Sequence, residues 1–400
     1  MNEMGGRWIY EEKILRPSVM EIDLDAILHN LQAIQQWVGP SVRLFAVLKS
    51  NAYGFGVKEV GLAVDKSTAF GIAVADLSEA VLLRQNGVTK PILVYANHLP
   101  SAAPEVVGHN LIPTVDSLEY ARAYSAAASE PLKVFVKVDT GRHRNGVMAE
   151  EVPDFCRRVL EFGNLKIEGI YAHMDRLSDL EADGDYVQWQ FSRFEGALKE
   201  IENRRLEIPI RMVASSSEVV QFPRMHLNAV DPGKLIYGVH FPRSGRSRIH
   251  LKHAFQSLKT RIILKKKVKP GTPFDGKARF PLREGMQVGI LPLGWGDGLP
   301  KYPLNQGEVL VKGKRVRILG SQYVEHARID LTEVPEAELG DEVVVIGRQG
   351  TEEITPEEVA DLCGMGASGL TRMVRETVPR VFFRQGRPWR VKTLLGELDL

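Results

Sequence analysis

Lys49 ends the apolar run Ala46-Val47-Leu48 and is followed at once by a glycine-punctuated turn, Ser50-Asn51-Ala52-Tyr53-Gly54-Phe55-Gly56. A lysine that leaves an apolar strand into a desolvated cavity has its neutral amine favoured, and a neutral amine adds to an aldehyde to form a Schiff base. Taken alone, a strand-ending lysine is more often a surface residue, so this reading needs support from elsewhere in the chain. Lys137-Val138-Asp139-Thr140-Gly141 with Arg144-Asn145-Gly146 carries a planar guanidinium, which suits a carboxylate because it donates in a fork. His173 closes the run Gly169-Ile170-Tyr171-Ala172, and serines and glycines gather in Ala214-Ser215-Ser216-Ser217 and Val230-Asp231-Pro232-Gly233-Lys234. A lone buried histidine is usually structural, and a serine run alone is an ordinary loop.

Lys49, the 139–144 segment and His173 share a position: each follows a candidate strand. Residues 44–48, 69–74, 91–95, 134–138 and 167–171 read as short apolar strands, with helical periodicity over 25–37, 78–85 and 186–202. This βα rhythm predicts a parallel sheet buried on both faces. Eight such units close as a TIM-like (β/α)8 barrel and fewer leave a doubly wound sheet; the length favours the barrel. In a barrel, residues just past strand C-terminal ends form the site. Beyond about residue 255 the texture changes to short strands at 261–264, 287–291, 307–311, 315–319 and 342–346, with Gly313-Lys314 as a hairpin turn. The expected organisation is an N-terminal extension 1–17, a barrel 18–255 and a mainly β C-terminal domain 256–400.

At 400 residues the chain exceeds what one core usually organises, and 44% hydrophobic with 26% charged residues is an ordinary globular balance. A formal charge of +2 gives no large field to recruit nucleic acid or an anionic membrane. The basic run Lys265, Lys266, Lys267 and Lys269 reads as a solvated strand or loop. Cys156 and Cys363 have neither metal-ligand nor redox spacing, which predicts no metal site and no disulfide framework. No stretch approaches the roughly 18 apolar residues of a membrane span, so a cytoplasmic protein is expected.

The segment 46–56 resembles the pyridoxal 5'-phosphate (PLP) binding segment of the alanine racemase family, and the resemblance continues in order over roughly residues 18–385. It implies that Lys49 holds the cofactor as a Schiff base and that Tyr53 meets its phosphate. Arg144 falls at the position of the arginine that contacts the cofactor oxygen and places the substrate carboxylate, and Lys137 at that of a lysine supporting it. His173 corresponds to the histidine lying against the pyridine ring, and Ser216 and Gly233 to phosphate-cradling positions. Pro292-Leu293-Gly294-Trp295-Gly296-Asp297-Gly298, Asp330-Leu331-Thr332 and Val378-Pro379-Arg380-Val381 resemble signatures of the family's second domain, with Trp295 replacing a tyrosine. The resemblance further implies an amino-acid substrate and a homodimer whose sites borrow residues from the partner.

The departures from the family pattern cluster around the cofactor. Alanine racemases use the lysine on one face of the substrate and a tyrosine of the partner on the other; here ungapped counting puts Gly276 at that tyrosine, and a one-residue slip puts Asp275 there. Asp231 stands where an arginine faces the pyridine nitrogen, and a carboxylate there favours a protonated ring. Ser368 occupies a phosphate-contacting tyrosine position, Val324-Glu325-His326 replaces a Met-Asp-Gln segment at the substrate entrance, and Lys234 brings a cation beside the phosphate glycine. Three readings stay open. The first is an amino-acid racemase with Asp275 or His326 as second base, acting on a substrate other than alanine. The others are one-face PLP chemistry such as decarboxylation or elimination, and a PLP-binding homologue without catalysis. A small PLP-carrying binding module is disfavoured by the second domain. A PLP-independent barrel hydrolase or aldolase would leave Tyr53, Ser216 and Gly233 without a ligand.

Overall fold

The computed structural model describes residues 3–4, 7–8, 10–175, 180–239, 249–269 and 285–400. Packing divides the chain into two units. One comprises Ile27–Ala52 and Gly56–Lys252; the other comprises Met1–Ala26, Tyr53–Phe55 and His253–Leu400.

The first unit is a closed barrel of parallel strands: β1 (Arg43–Val47), β2 (Gly71–Val74), β3 (Ile92–Val94), β4 (Ile112–Val115), β5 (Leu132–Asp139), β6 (Leu165–Tyr171), β7 (Ile210–Ala214) and β8 (Ala229–Val230). Each strand pairs with the next, and β8 returns to β1 through Ala229 opposite Arg43 and Val230 opposite Leu44. Because both faces are covered, the strands are mostly apolar and buried. Helices connect them, among them Val57–Asp65, Leu77–Gln85, Leu118–Ala127, Val152–Leu160 and Leu180–Asn203. Asp76 starts Leu77–Gln85 by accepting the Ser78 N–H at 2.7 Å.

Aromatic rings fill the barrel interior. Phe45 and Phe135 meet edge to face at 5.9 Å, and Phe135 lies 6.4 Å from Tyr171. Gly169 is what admits Phe135: a Cβ there would fall 2.3 Å from its ring. The (β/α)8 expectation thus holds. The sequence reading missed β4, β7 and β8, which contain Pro113, contain Arg211, and span two residues, respectively. Each weakens an apolar-run signal.

The second unit is mainly β. Its large sheet runs Lys314–Arg317, Glu308–Val311, Glu342–Gln349, Phe255–Arg261, Val19–Asp23, Arg380–Arg384, Arg387–Thr393 and Gly396–Asp399. Val19–Asp23 was expected in the barrel and the residues before it as an extension. Instead that strand pairs antiparallel to Phe255–Arg261 and parallel to Arg380–Arg384, and Tyr10 and Ile14 pack with Val381, Phe383 and Val391. A strand whose neighbours lie hundreds of residues away carries no local sign of its sheet. Glu21 is anchored by the Tyr10 hydroxyl at 2.6 Å, the Ser257 hydroxyl at 2.5 Å and the Lys259 ammonium at 3.3 Å. The hairpin turn falls one residue early, at Lys312-Gly313, both with positive φ (51° and 74°).

The basic run begins on the exposed strand Leu264–Lys267, where Lys265 donates to the Pro335 and Ala337 carbonyls at 2.7 Å each. Cys156 and Cys363 are unpaired thiols. Among the described residues no helix is long and apolar enough to cross a membrane.

Candidate active site

Lys49 leaves the C-terminal end of β1 half-buried, just after Leu48, whose N–H bonds the Ala73 carbonyl at 2.8 Å. The chain then does something unusual for L-residues. Ser50, Asn51, Ala52 and Tyr53 have φ of 58°, 54°, 51° and 56°, a single turn of left-handed helix. Such a conformation costs about 1–2 kcal/mol per residue. Local bonds offset it: the Ala52 N–H reaches Leu48 O at 2.8 Å, the Asn51 N–H reaches the Glu79 carboxylate, and the Asn51 side chain accepts the Val57 N–H at 2.8 Å. Glu79 is half-buried, and desolvation pushes its carboxyl up. In the other unit, the Tyr53 and Gly54 carbonyls accept from the Thr371 hydroxyl at 2.7 Å and the Arg380 guanidinium at 2.9 Å.

Asp231, just past β8, is buried, and its Oδ2 accepts the Tyr95 hydroxyl at 2.7 Å while Oδ1 has no hydrogen-bond partner among the described residues. Desolvation pushes its carboxyl up, opposed by the Tyr95 hydroxyl and the Lys137 and Lys49 charges. Lys137, buried on β5, holds its Nζ 4.3 Å from the centre of the Tyr171 ring. Burial pushes its ammonium down, Arg144 and Arg142 add to that, and Asp231 opposes it. His173 follows β6; burial first, then Lys137, Arg142, Lys49 and Arg144, hold its imidazole neutral, well below its ordinary value. These groups therefore share one electrostatic environment at the strand C-terminal ends.

Arg144 sits in an exposed loop whose shape is set by Asp139. One oxygen of Asp139 accepts the N–H groups of Gly141, Arg142 and His143 at 2.8, 2.8 and 3.2 Å, and the other accepts that of Arg144 at 3.1 Å. Burial alone would raise this carboxyl, but the four donors hold it below its ordinary value. Arg142 is used differently: it bonds the Met174 carbonyl at 3.1 Å and pairs with Asp175 at 3.3 Å.

The Ser216 hydroxyl, just past β7, accepts the N–H groups of Gly233 and Leu235 at 2.9 and 3.2 Å, where the 3-10 helix Lys234–Tyr237 begins. Lys234 is half-buried there. Hydroxyl and backbone N–H groups brought together in this way suit a phosphate. Asp231 Oδ1, which has no hydrogen-bond partner among the described residues, would accept a ring N–H, and Lys49 offers the amine. On these observations the barrel's residues fit PLP. Ser368 is buried in the helix Ala367–Met373 of the β unit, while Glu325 and His326 are exposed there. Asp275 and Gly276 lie outside the described residues.

Sequence reasoning assigned no role to Tyr95, Glu79, or Asp139 as the anchor of the arginine loop. The Asp-Thr-Gly order around Asp139 is an Asx-turn signature and could have revealed that role. Nothing local marks the partners of Tyr95 and Glu79.

Residues 22–241 match the family model of the alanine racemase N-terminal domain, and residues 255–382 that of the C-terminal domain. The alanine racemase of Halothermothrix orenii is 33% identical over 374 residues, covering 93% of this chain and 98% of the relative. That of Methanococcus maripaludis is 33% identical over 375 residues, covering 92% and 99%. Among solved structures, alanine racemase of Clostridium difficile 630 has a TM-score of 0.87 at 26% identity, covering 96% of this chain and all of that one (100%). The Bacillus anthracis alanine racemase with bound L-Ala-P has a TM-score of 0.86 at 29% identity, covering 96% and 99%. Both domain matches fall in order, and the relatives align over nearly their full lengths: the chain belongs to the alanine racemase family, whose members depend on pyridoxal 5'-phosphate.

Proposed function

We propose that this PLP-dependent racemase interconverts the two enantiomers of a free α-amino acid, with alanine, the substrate named for its relatives, as the first candidate and a larger amino acid as the second. The observation that carries the proposal is the convergence of Lys49, Lys137, Asp231 and His173 at the strand C-terminal ends, where Lys49 and Lys137 act on the charge of both Asp231 and His173. Bound PLP supplies a conjugated ring that takes up the electron pair left when the α-proton departs. Lys49 anchors the cofactor and then takes or returns the proton at the α-carbon on its own face. Arg144 receives the substrate carboxylate in a fork, and Lys137 adds positive charge behind it. Ser216, Gly233 and Lys234 of the barrel would hold the phosphate. Asp231 would accept a hydrogen bond from the pyridine nitrogen, and His173, kept neutral by burial and neighbouring cations, would move no proton there.

The second face needs a base other than tyrosine, and Asp275 or His326 fills that role, with Glu325 at the substrate entrance. We take the chain to act as a homodimer in which these residues come from the partner. The buried Asp231 favours one further reading, reprotonation from a single face as in decarboxylation or elimination, because a protonated ring is the stronger electron sink.

The experiment is to incubate the PLP-loaded protein with each enantiomer of alanine and of a panel of larger amino acids. Convergence from both sides on equal amounts supports racemisation. Release of carbon dioxide or ammonia with no enantiomer appearing supports the single-face reading, and no turnover of any kind refutes both.

A further inference from the structure

Asp231 is a buried carboxylate near the proposed cofactor position, and its two oxygens are not equivalent. Oδ2 is engaged by the Tyr95 hydroxyl at 2.7 Å, while Oδ1 has no hydrogen-bond partner among the described residues. We infer that Tyr95 is a positioning residue that decides where the proton rests between Asp231 and the pyridine nitrogen. This rests on the proposed placement of Asp231 against that nitrogen.

A carboxylate oxygen accepts, so the Tyr95 hydroxyl donates to Asp231, and the neighbouring Tyr171 hydroxyl does not compete for it. Tyr95 follows β3, with its N–H on the Val74 carbonyl at 2.9 Å and its ring 5.5 Å from that of Tyr171. Thr114 donates its single hydroxyl proton to the Val94 carbonyl at 2.9 Å, so its oxygen accepts from Tyr171 at 2.9 Å. The Tyr171 proton is thereby committed. Tyr95 donates to Asp231, and a donated hydrogen bond favours the carboxylate over the acid.

Several elements around Asp231 contribute a charge or a hydroxyl. Lys49 past β1 and Lys137 on β5 favour the carboxylate, Glu218 past β7 opposes it, and Tyr171 on β6 faces it. Burial alone would return the proton to the carboxyl. Tyr95 is the neutral donor that shifts the balance toward a carboxylate facing a protonated ring nitrogen. Without it, the pair becomes an acid donating to an unprotonated nitrogen. No electrons move; the proton changes sides along one hydrogen bond.

The test uses holoenzyme reconstituted with PLP labelled with nitrogen-15 in the ring, and reads the ring-nitrogen resonance of wild type, Asp231→Asn and Tyr95→Phe. The wild-type resonance should lie at the protonated position, that of Asp231→Asn at the unprotonated position, and that of Tyr95→Phe displaced toward the latter. A resonance that Asp231→Asn leaves unmoved overturns the placement of Asp231. One that moves in Asp231→Asn and stays put in Tyr95→Phe overturns the role of Tyr95 alone.

A second measurement needs neither the cofactor nor a folded Tyr95 variant. In cofactor-free wild type, the infrared carboxyl band that Asp231→Asn removes should appear on acidification together with a shift of one tyrosine C–O stretch. Tyr95→Phe, where it folds, should raise that titration by about one to two pH units, the worth of a hydrogen bond to a charged group. A tyrosine stretch indifferent to Asp231 protonation overturns the inference.

Discussion

Asp139→Asn isolates the loop that carries Arg144 from the groups that bind the cofactor. The substitution keeps the side-chain shape and one acceptor oxygen, so the N–H groups of Gly141, Arg142 and His143 keep their partner. It replaces the oxygen facing the Arg144 N–H, now accepted at 3.1 Å, with a second donor, and it removes the negative charge from a carboxylate bound by four backbone donors. A hydrogen bond to a charged group is worth about 1.5–3 kcal/mol, and the lower end applies to a loop whose Arg144 side chain is exposed. About 1.5 kcal/mol is roughly a tenfold change in the population of the loop shape that presents Arg144. Steady-state kinetics on the preferred amino acid should therefore show KM raised by up to about tenfold, with kcat within a few-fold and PLP affinity changed less than KM. An unchanged KM, or a loss of PLP affinity as large as the change in KM, refutes the assignment of Asp139 to the arginine loop. The pH dependence has a definite sign. The folded carboxyl lies below its ordinary value, so its ordering contribution is complete above about pH 4 and is lost only as pH falls through the depressed value.

Other perturbations address the remaining parts of the site. Lys49→Ala should abolish the absorbance of lysine-bound PLP while leaving the far-ultraviolet circular dichroism intact; a persisting band removes Lys49 from its role. Ser216→Ala takes the acceptor from the Gly233 and Leu235 N–H groups and a hydroxyl from the phosphate position, and should weaken PLP binding about tenfold in equilibrium dialysis. Wild-type affinity in that variant would place the phosphate elsewhere. Gly54→Ala would put a Cβ 2.2 Å from the Thr371 carbonyl oxygen at a φ of +89°, and should cost roughly 2–4 kcal/mol in denaturant unfolding. His173 should stay neutral from pH 5 to 8 in proton NMR, because burial and four neighbouring cations oppose its charged form. An imidazole titrating near pH 6.5 contradicts that environment.

The parts of this architecture that are local were legible in the sequence. Apolar strands at 44–48 and 167–171 appear as Arg43–Val47 and Leu165–Tyr171, and Lys49 and His173 follow them as expected. What depends on distant partners was not legible. Val19–Asp23 looks like any apolar strand, and its place in the β sheet is decided by Phe255–Arg261 and Arg380–Arg384. Gly169 is small because Phe135 fills the space beside it. The left-handed turn after Lys49 is masked because Ser50, Asn51 and Ala52 carry no glycine signal; side-chain and carbonyl bonds hold what composition disfavours. Tyr95 and Asp231 are 136 positions apart, and only the closed barrel brings the hydroxyl to the carboxylate.

The most direct measurement is a single-turnover reaction of the PLP-loaded protein with one enantiomer of its preferred amino acid in deuterium oxide, following α-deuterium and configuration in the same sample. Racemisation on this scaffold predicts that deuterium enters the α-carbon and that the opposite enantiomer appears carrying it. Deuterium incorporated with configuration fully retained would contradict the two-face account and show that without the family tyrosine the site reprotonates from one side.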